Sequence, residues 1–470
     1  MKKIIVFLAA FLTVFSAYAA NNNQDANLRQ MLTQGFMSDN VEYAAGISLT
    51  LKNDDYLATI PAGTLKNTKT VIPSFSFTVK KKGNFEKNEL YSVSLNKLIQ
   101  IYPMLAPVVE QYQITYGSLT YTKDLVPAIF FVPEEKFQMT DLTLPLDQGA
   151  KIFVSKVNEK TVNTKKKDFI EGHSVITFDN IQAAHLFGNV KIDKIEAELT
   201  VPVAMGTMSD IEKLQNADTF EQKMKIKNAR IDSLFTKAGF NLQESLDAKT
   251  DNEQKIDANL DVLINDLFVS EQPDVPEKII LKANFNGFTS QQAKEYEAAL
   301  RAFNEVQDLP ETEAGQELMA RAYQNLNEKQ AAFLEHFTIK VDELRLISQK
   351  YVILLKGTGS LKDEEFNGTL TVVNFNYLAP KPKAVDEKAC QDVMDKVLDG
   401  SLSGEAFEAA FNEKCNDKKG MLDALRPYAQ KARKTTLDGK DALEFDIQIK
   451  GEDVFVNSEP FVFEEGEADD

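Results

Sequence analysis

The side chains best suited to nucleophilic, redox or metal chemistry are scarce in this chain: 470 residues hold two cysteines and three histidines. Cys390 and Cys415 flank a candidate helical hairpin over about 386–415. Its first helix is expected from Asp386 to Asp399, with Ala389, Val393, Met394, Val397 and Leu398 along one stripe. Gly400-Ser401-Leu402-Ser403-Gly404 supplies the turn, and Phe407, Ala410 and Phe411 mark the second helix. The two arms are nearly equal in length, so an antiparallel hairpin brings both sulfurs to its open end. The expectation is a structural disulfide worth roughly 3–4 kcal/mol on the chain-entropy view. Buried free thiols are the other reading, and the absence of C-x-x-C argues against a redox pair.

His173, His185 and His336 are not spaced to share a metal, and read as surface or capping residues, with His185 beside Phe187 hinting at burial. Asp54-Asp55 and Asp363-Glu364-Glu365 lack the glycine and terminal glutamate of a calcium loop and read as hairpin tips. Lys80-Lys81-Lys82 and Lys165-Lys166-Lys167 read the same way, or as attractors of an anionic headgroup. Phosphate-cradling glycine loops, the G-x-S-x-G elbow and H-E-x-x-H are all missing. No catalytic, metal or cofactor residues are therefore assigned.

The remaining candidate site is apolar. Between Leu95 and Pro133 four prolines interrupt two hydrophobic clusters, one with Ile101, Tyr102, Met104 and Leu105 and one with Ile129, Phe130 and Phe131. Proline bars a long helix or a central strand there. The segment is either irregular core packing or an exposed contact for a lipid or protein.

The elements that must position these residues are mostly strands. Phe75-Phe77-Val79, Ile195-Ala197-Leu199-Val201, Ile256-Ala258-Leu260-Val262-Ile264 and Leu443-Phe445-Ile447-Ile449 alternate with polar residues, the mark of strands with one buried face. Leu28, Met31, Leu32 and Phe36 make a short helix, and a helix-like piece is expected around Ile231 to Phe235. Thr289 and Gln292 have capping-box spacing and open a second helical hairpin over about 290–336. The fold class is α+β and β-dominated: extended curved antiparallel sheet of about fifteen strands with helical-hairpin insertions, with no β-α-β alternation. Two β-rich parts are expected, 20–205 and 206–470, ending in an acidic tail at 464–470.

Met1-Lys2-Lys3, the apolar run from Ile4 to Phe15 and Ala17-Tyr18-Ala19 read as a signal peptide over 1–19, cleaved after Ala19, which sets the protein in the periplasm. No later run is long and apolar enough to span a bilayer. Losing Lys2 and Lys3 takes the net charge from −18 to −20, which argues against nucleic acid as a partner.

Two segments resemble the YdgA-like family of bacterial envelope proteins. One runs from Phe333-Leu-Glu-His-Phe337 through Leu354-Leu-Lys-Gly-Thr-Gly-Ser-Leu361, and the other from Ile447 to Phe461. The resemblance covers about the last 140 residues. It implies an envelope setting and a β-rich build, with no site residues. Asn457-Ser458 stands where that family has Asn-Gly, and the cleavable leader departs from its uncleaved anchor.

The leading functional expectation is an exported, non-catalytic envelope protein that binds lipid or another amphiphile along a curved sheet. The second is a protein–protein adaptor using the helical hairpins, and the third a carboxylate-dependent hydrolase.

Overall fold

The computed structural model describes residues 24–145, 150–166, 170–185, 188–203, 219–233, 236–250, 255–270, 272, 274–306, 313–379, 387–398, 401 and 422–461. The fold is β-dominated and antiparallel. Twenty-three strands occur among the described residues, more than the fifteen expected, because segments of two to five residues are too short to show a period. The chain forms two compact units, Met1–Pro273 with Thr289–Lys294, and Asp274–Phe288 with Glu295–Asp470. The leader 1–19, Cys415 and the rest of the second cysteine-hairpin helix, and the tail 464–470 lie outside the described residues.

The first unit opens with α1 (Gln24–Phe36) and the short strands β1 (Val41–Tyr43), β2 (Ser48–Lys52), β3 (Asp55–Ile60), β4 (Gly63–Leu65) and β5 (Val71–Ile72). A meander follows: β6 (Phe75–Phe85), β7 (Asn88–Leu95), β8 (Leu119–Leu125), β9 (Glu134–Pro145), β10 (Lys151–Lys165), β11 (Ile170–His185), β12 (Gly188–Val203), β13 (Thr219–Ser233), β14 (Lys237–Thr250) and β15 (Lys255–Val269). Apart from a small separate sheet of β1, β4 and β5, each strand from β2 to β15 pairs antiparallel with the next member of the main sheet. From β9 onward the strands are 12 to 16 residues long, against a usual length of about five or six. Ile231 belongs to β13, so the helix-like spacing there is overridden by pairing with Val190 and Ala238.

Strict alternation fails along one line across these strands. Met139 and Leu142, Val154 and Val157, and Phe178 and Ile181 all pack in one core although each pair is three residues apart. The intervening Asp141 and Asn180 have left-handed backbones, as do Asn228 on β13 and Asp266 on β15 (φ 53°, 49°, 50° and 54°). Asp and Asn tolerate that conformation through their short polar side chains. Each such position resets the side-chain phase, so the residues beyond it return to the same face. The line is tied on the polar side: Asn228 Nδ2 donates to Asp193 Oδ2 at 2.8 Å, and its N–H to Asn241 Oδ1 at 2.7 Å. Asn241 Nδ2 in turn donates to Asp266 Oδ2 at 2.7 Å. Bulges bend a strand, so bulges aligned across neighbouring strands crease the sheet.

The second unit contains β16 (Lys278–Thr289), the helices α2 (Ser290–Val306) and α3 (Glu313–Leu334), β17 (Thr338–Ile347), β18 (Val352–Ser360) and β19 (Glu365–Val373). Then come α4 (Glu387–Leu398), β20 (Arg433–Leu437), β21 (Lys440–Lys450), β22 (Asp453–Val456) and β23 (Glu459–Pro460). β16 to β19 pair in order, β19 pairs β21, and β20 and β22 take the other side of β21. Its core joins Tyr351, Ile353, Val372, Phe375, Leu378, Leu425, Tyr428 and Phe445. The capping box at the start of α2 is reciprocal: Thr289 N–H donates to Gln292 Oε1, and Gln292 N–H to Thr289 Oγ1. Phe288, Tyr296, Phe333 and Phe337 hold the helical pair to β16 through ring contacts of 5.0 to 5.6 Å.

Candidate functional site: a creased apolar face

The apolar rows of the first unit run across strands, from residue to directly paired residue. One passes through Leu119, Met139, Val157, Phe178, Ile195, Ile226, Leu242 and Ile264, on eight successive strands without a polar residue. Across the crease, Leu142, Val154, Ile181 and Ile192 form a second row.

Among the described residues the face is covered at one end and not at the other. Over β6 to β10, α1 supplies Leu28, Leu32 and Phe36, and the proline-laced segment supplies Leu98, Ile101 and Leu105, all buried. On β12 to β15 the row residues Ile195, Ile226, Leu242 and Ile264 are half-buried, and no residue of these strands joins a buried cluster among the described residues.

The sequence-assigned apolar residues belong to the cover. Ile101 and Leu105 are buried, Tyr102 is half-buried, and Met104 alone is exposed. Phe131 is buried with Val126 and Ile170 in a side cluster that Ile129 packs against; Phe130, half-buried with a left-handed backbone, packs on the main core. This segment packs in the core, and the apolar surface left uncovered among the described residues lies on β12 to β15. Of the tri-lysine runs, Lys81 and Lys82 lie within β6 rather than at a hairpin tip and pair with Glu89 and Asp124, Lys166 pairs with Glu171, and Lys167 lies outside the described residues. Asp54 sits at the β2–β3 turn, as expected. Cys390 lies in α4, and the pairing expected with Cys415 falls outside the described residues. Among the described residues no three His, Cys, Asp or Glu side chains are placed to hold a metal ion.

Composition and motif gave no sign of a polar corner where the covered and uncovered parts meet. Lys123, Glu135, Thr161 and Ser174 are direct partners across β8 to β11, and the next position in that row is Leu199. Lys123 is buried, 3.2 Å from Glu135 Oε2, and Tyr121 OH donates to Glu135 Oε1 at 2.7 Å. Lys123 Nζ also lies beside Gly35 in the last turn of α1, where helix carbonyls favour a cation. In the adjacent row Glu159 stands between Phe137 and Ile176. Burial, and after it the Glu135 charge, push its carboxyl up to about 7, and it has no hydrogen-bond or ion-pair partner among the described residues. Burial raises the Tyr102 and Tyr121 hydroxyls, and the same carboxylates add to the effect. The corner can thus accept hydrogen bonds or positive charge, while its lysine is already neutralised.

Comparison with known proteins finds no matching family model, no similar curated protein and no similar solved structure. Among the described residues no helix is long and apolar enough to cross a membrane.

Proposed function

We propose that this is an exported, non-catalytic envelope protein that holds an apolar or amphiphilic ligand, such as a lipid, on the apolar face of β12 to β15, which is uncovered among the described residues. The observation that carries the reading is the row from Leu119 to Ile264, which keeps its apolar character after its cover ends. A structure with no ligand to seat there gains nothing from leaving such side chains half in water, at roughly 25 cal/mol per Å² of apolar surface. The row is continuous from strand to strand, a length that suits a long-chain molecule. The leader over 1–19 and a Cys390–Cys415 bridge belong to the same reading, since export permits both; a peptide map of the non-reduced secreted protein tests them together.

Native mass spectrometry of the purified protein tests the ligand itself. A co-purifying amphiphile, lost when Ile195 and Ile226 are both replaced by Asp in a protein that still folds, is the expected result. A second reading, an adaptor, is favoured by Leu300, Leu318 and Tyr323, which are exposed on α2 and α3. A stoichiometric protein partner released by Leu318→Asp, with no bound amphiphile, would establish that reading instead.

A further inference from the structure

Resting on the ligand reading above, we propose that the polar corner on β9 to β11 is the head-group end of the site, and that the amphiphile it takes carries an ammonium head. The apolar row fixes where the tail lies. From β10 to β15 it crosses five strand spacings, about 24 Å at the usual separation, against roughly 15 Å for the chain of one bilayer leaflet. A single chain of that length covers about three spacings, so with its head at β10 it lies along Phe178, Ile195 and Ile226.

The head is selected by what the corner still lacks. Glu159 faces the row with no partner among the described residues, and Thr161 and Ser174 share one hydrogen bond of 2.7 Å between two hydroxyls. Asn163 follows two residues beyond Thr161 on the same side of β10 and is more than nine-tenths buried. Its Nδ2 donates to the Val132 carbonyl at 2.7 Å, which fixes the amide's orientation, and its Oδ1 is left buried without a partner. Of the groups facing this corner, Glu159 and Asn163 Oδ1 offer acceptors and the hydroxyl pair both accepts and donates; among the described residues the cations on this side are Lys123, held by Glu135, and Lys165, exposed at the far end of β10. A phosphate or carboxylate head beside Glu159 would meet no free positive charge among the described residues and would add to Glu135 and Glu159. An ammonium supplies three donors and the missing charge.

Isothermal titration with dodecylamine, dodecanol and dodecanoate at pH 7 separates the tail from the head. The wild type is expected to bind the amine about tenfold more tightly than the alcohol, the ratio set by one charge-assisted contact, and the carboxylate least. Glu159→Gln brings the amine to the affinity of the alcohol and leaves the alcohol unchanged. Ile226→Asp weakens all three. Amine binding ionises Glu159, so its heat varies with the ionisation enthalpy of the buffer in the wild type and not in Glu159→Gln. Equal affinity for the three probes, a preference for dodecanoate, or an amine preference that survives Glu159→Gln overturns the head-group assignment while the ligand reading stands. Failure of all three to bind a folded wild type overturns both.

Discussion

The inner faces of β6–β11 and of β12–β15 are built from the same residue types in the same period, yet they end in different states. Over the first, Leu28, Leu32 and Leu98 are fully buried by a helix and an irregular segment brought from elsewhere in the chain. Over the second, Ile195, Ile226 and Leu242 are half-buried and join no buried cluster among the described residues. An amphipathic pattern thus decides which face is apolar, and a separate, non-local choice decides whether that face becomes core. Beside the apolar row, where the described cover ends, lies the polar row of Lys123, Glu135, Thr161 and Ser174.

The contrast can be broken by paired truncations. Leu32→Ala empties a fully buried site and is expected to cost about 2–5 kcal/mol in urea unfolding. Ile226→Ala, at a half-buried position, should cost no more than about 1 kcal/mol while weakening amphiphile binding. Equal losses of stability would mean that the two faces are equally core.

Glu159 sharpens the boundary between them. Burial holds its folded-state value at about 7, above the ordinary glutamate value of 4.5. The stability it contributes is whole below pH 4.5 and is lost as pH rises through 7, because the folded state resists ionising it. Glu159→Gln should therefore match the wild type near pH 4 and exceed it at pH 8 by on the order of 1–2 kcal/mol, discounted for partial exposure. Urea midpoints across that range check it, and a variant weaker than the wild type at pH 8 would show that the carboxylate is held ionised by a partner.

The crease gives a smaller effect. Asn228→Val puts a β-branched residue at φ 50° and should destabilise by about 1–2 kcal/mol. Asn228→Gly keeps the backbone free and should cost less, despite the lost bond to Asp193. If the valine variant is as stable as the glycine one, the backbone at this position does not hold the line of bulges.

Much of this architecture is legible in the residues. Alternation places β12, β15 and β21 and assigns their apolar sides, and Thr289 with Gln292 marks the start of α2. The crease also had a signal, an apolar residue, any residue, Asp or Asn, then an apolar residue. It recurs as Met139-Thr-Asp-Leu142, Phe178-Asp-Asn-Ile181, Ile226-Lys-Asn-Ala229 and Ile264-Asn-Asp-Leu267. A search for strict period two passes over it, since each instance breaks the period. What could not be read locally is the cover. Nothing in Ile101 or Leu105 says whether they meet water or the underside of Val157, because that depends on chain folded back from far away. The polar corner is hidden for the same reason: Lys123, Glu135, Thr161 and Ser174 are brought together by strand register alone.

Photo-crosslinking tests the central claim most directly. A long-chain fatty amine bearing a diazirine in its tail is bound to the purified protein, irradiated, and its attachment sites mapped by peptide mass spectrometry. The account predicts adducts on inward residues of β11 to β15, among them Phe178, Ile195, Ile226, Leu242 and Ile264. Adducts confined to α2 and α3, or spread equally over the charged outer face of the same strands, would contradict it.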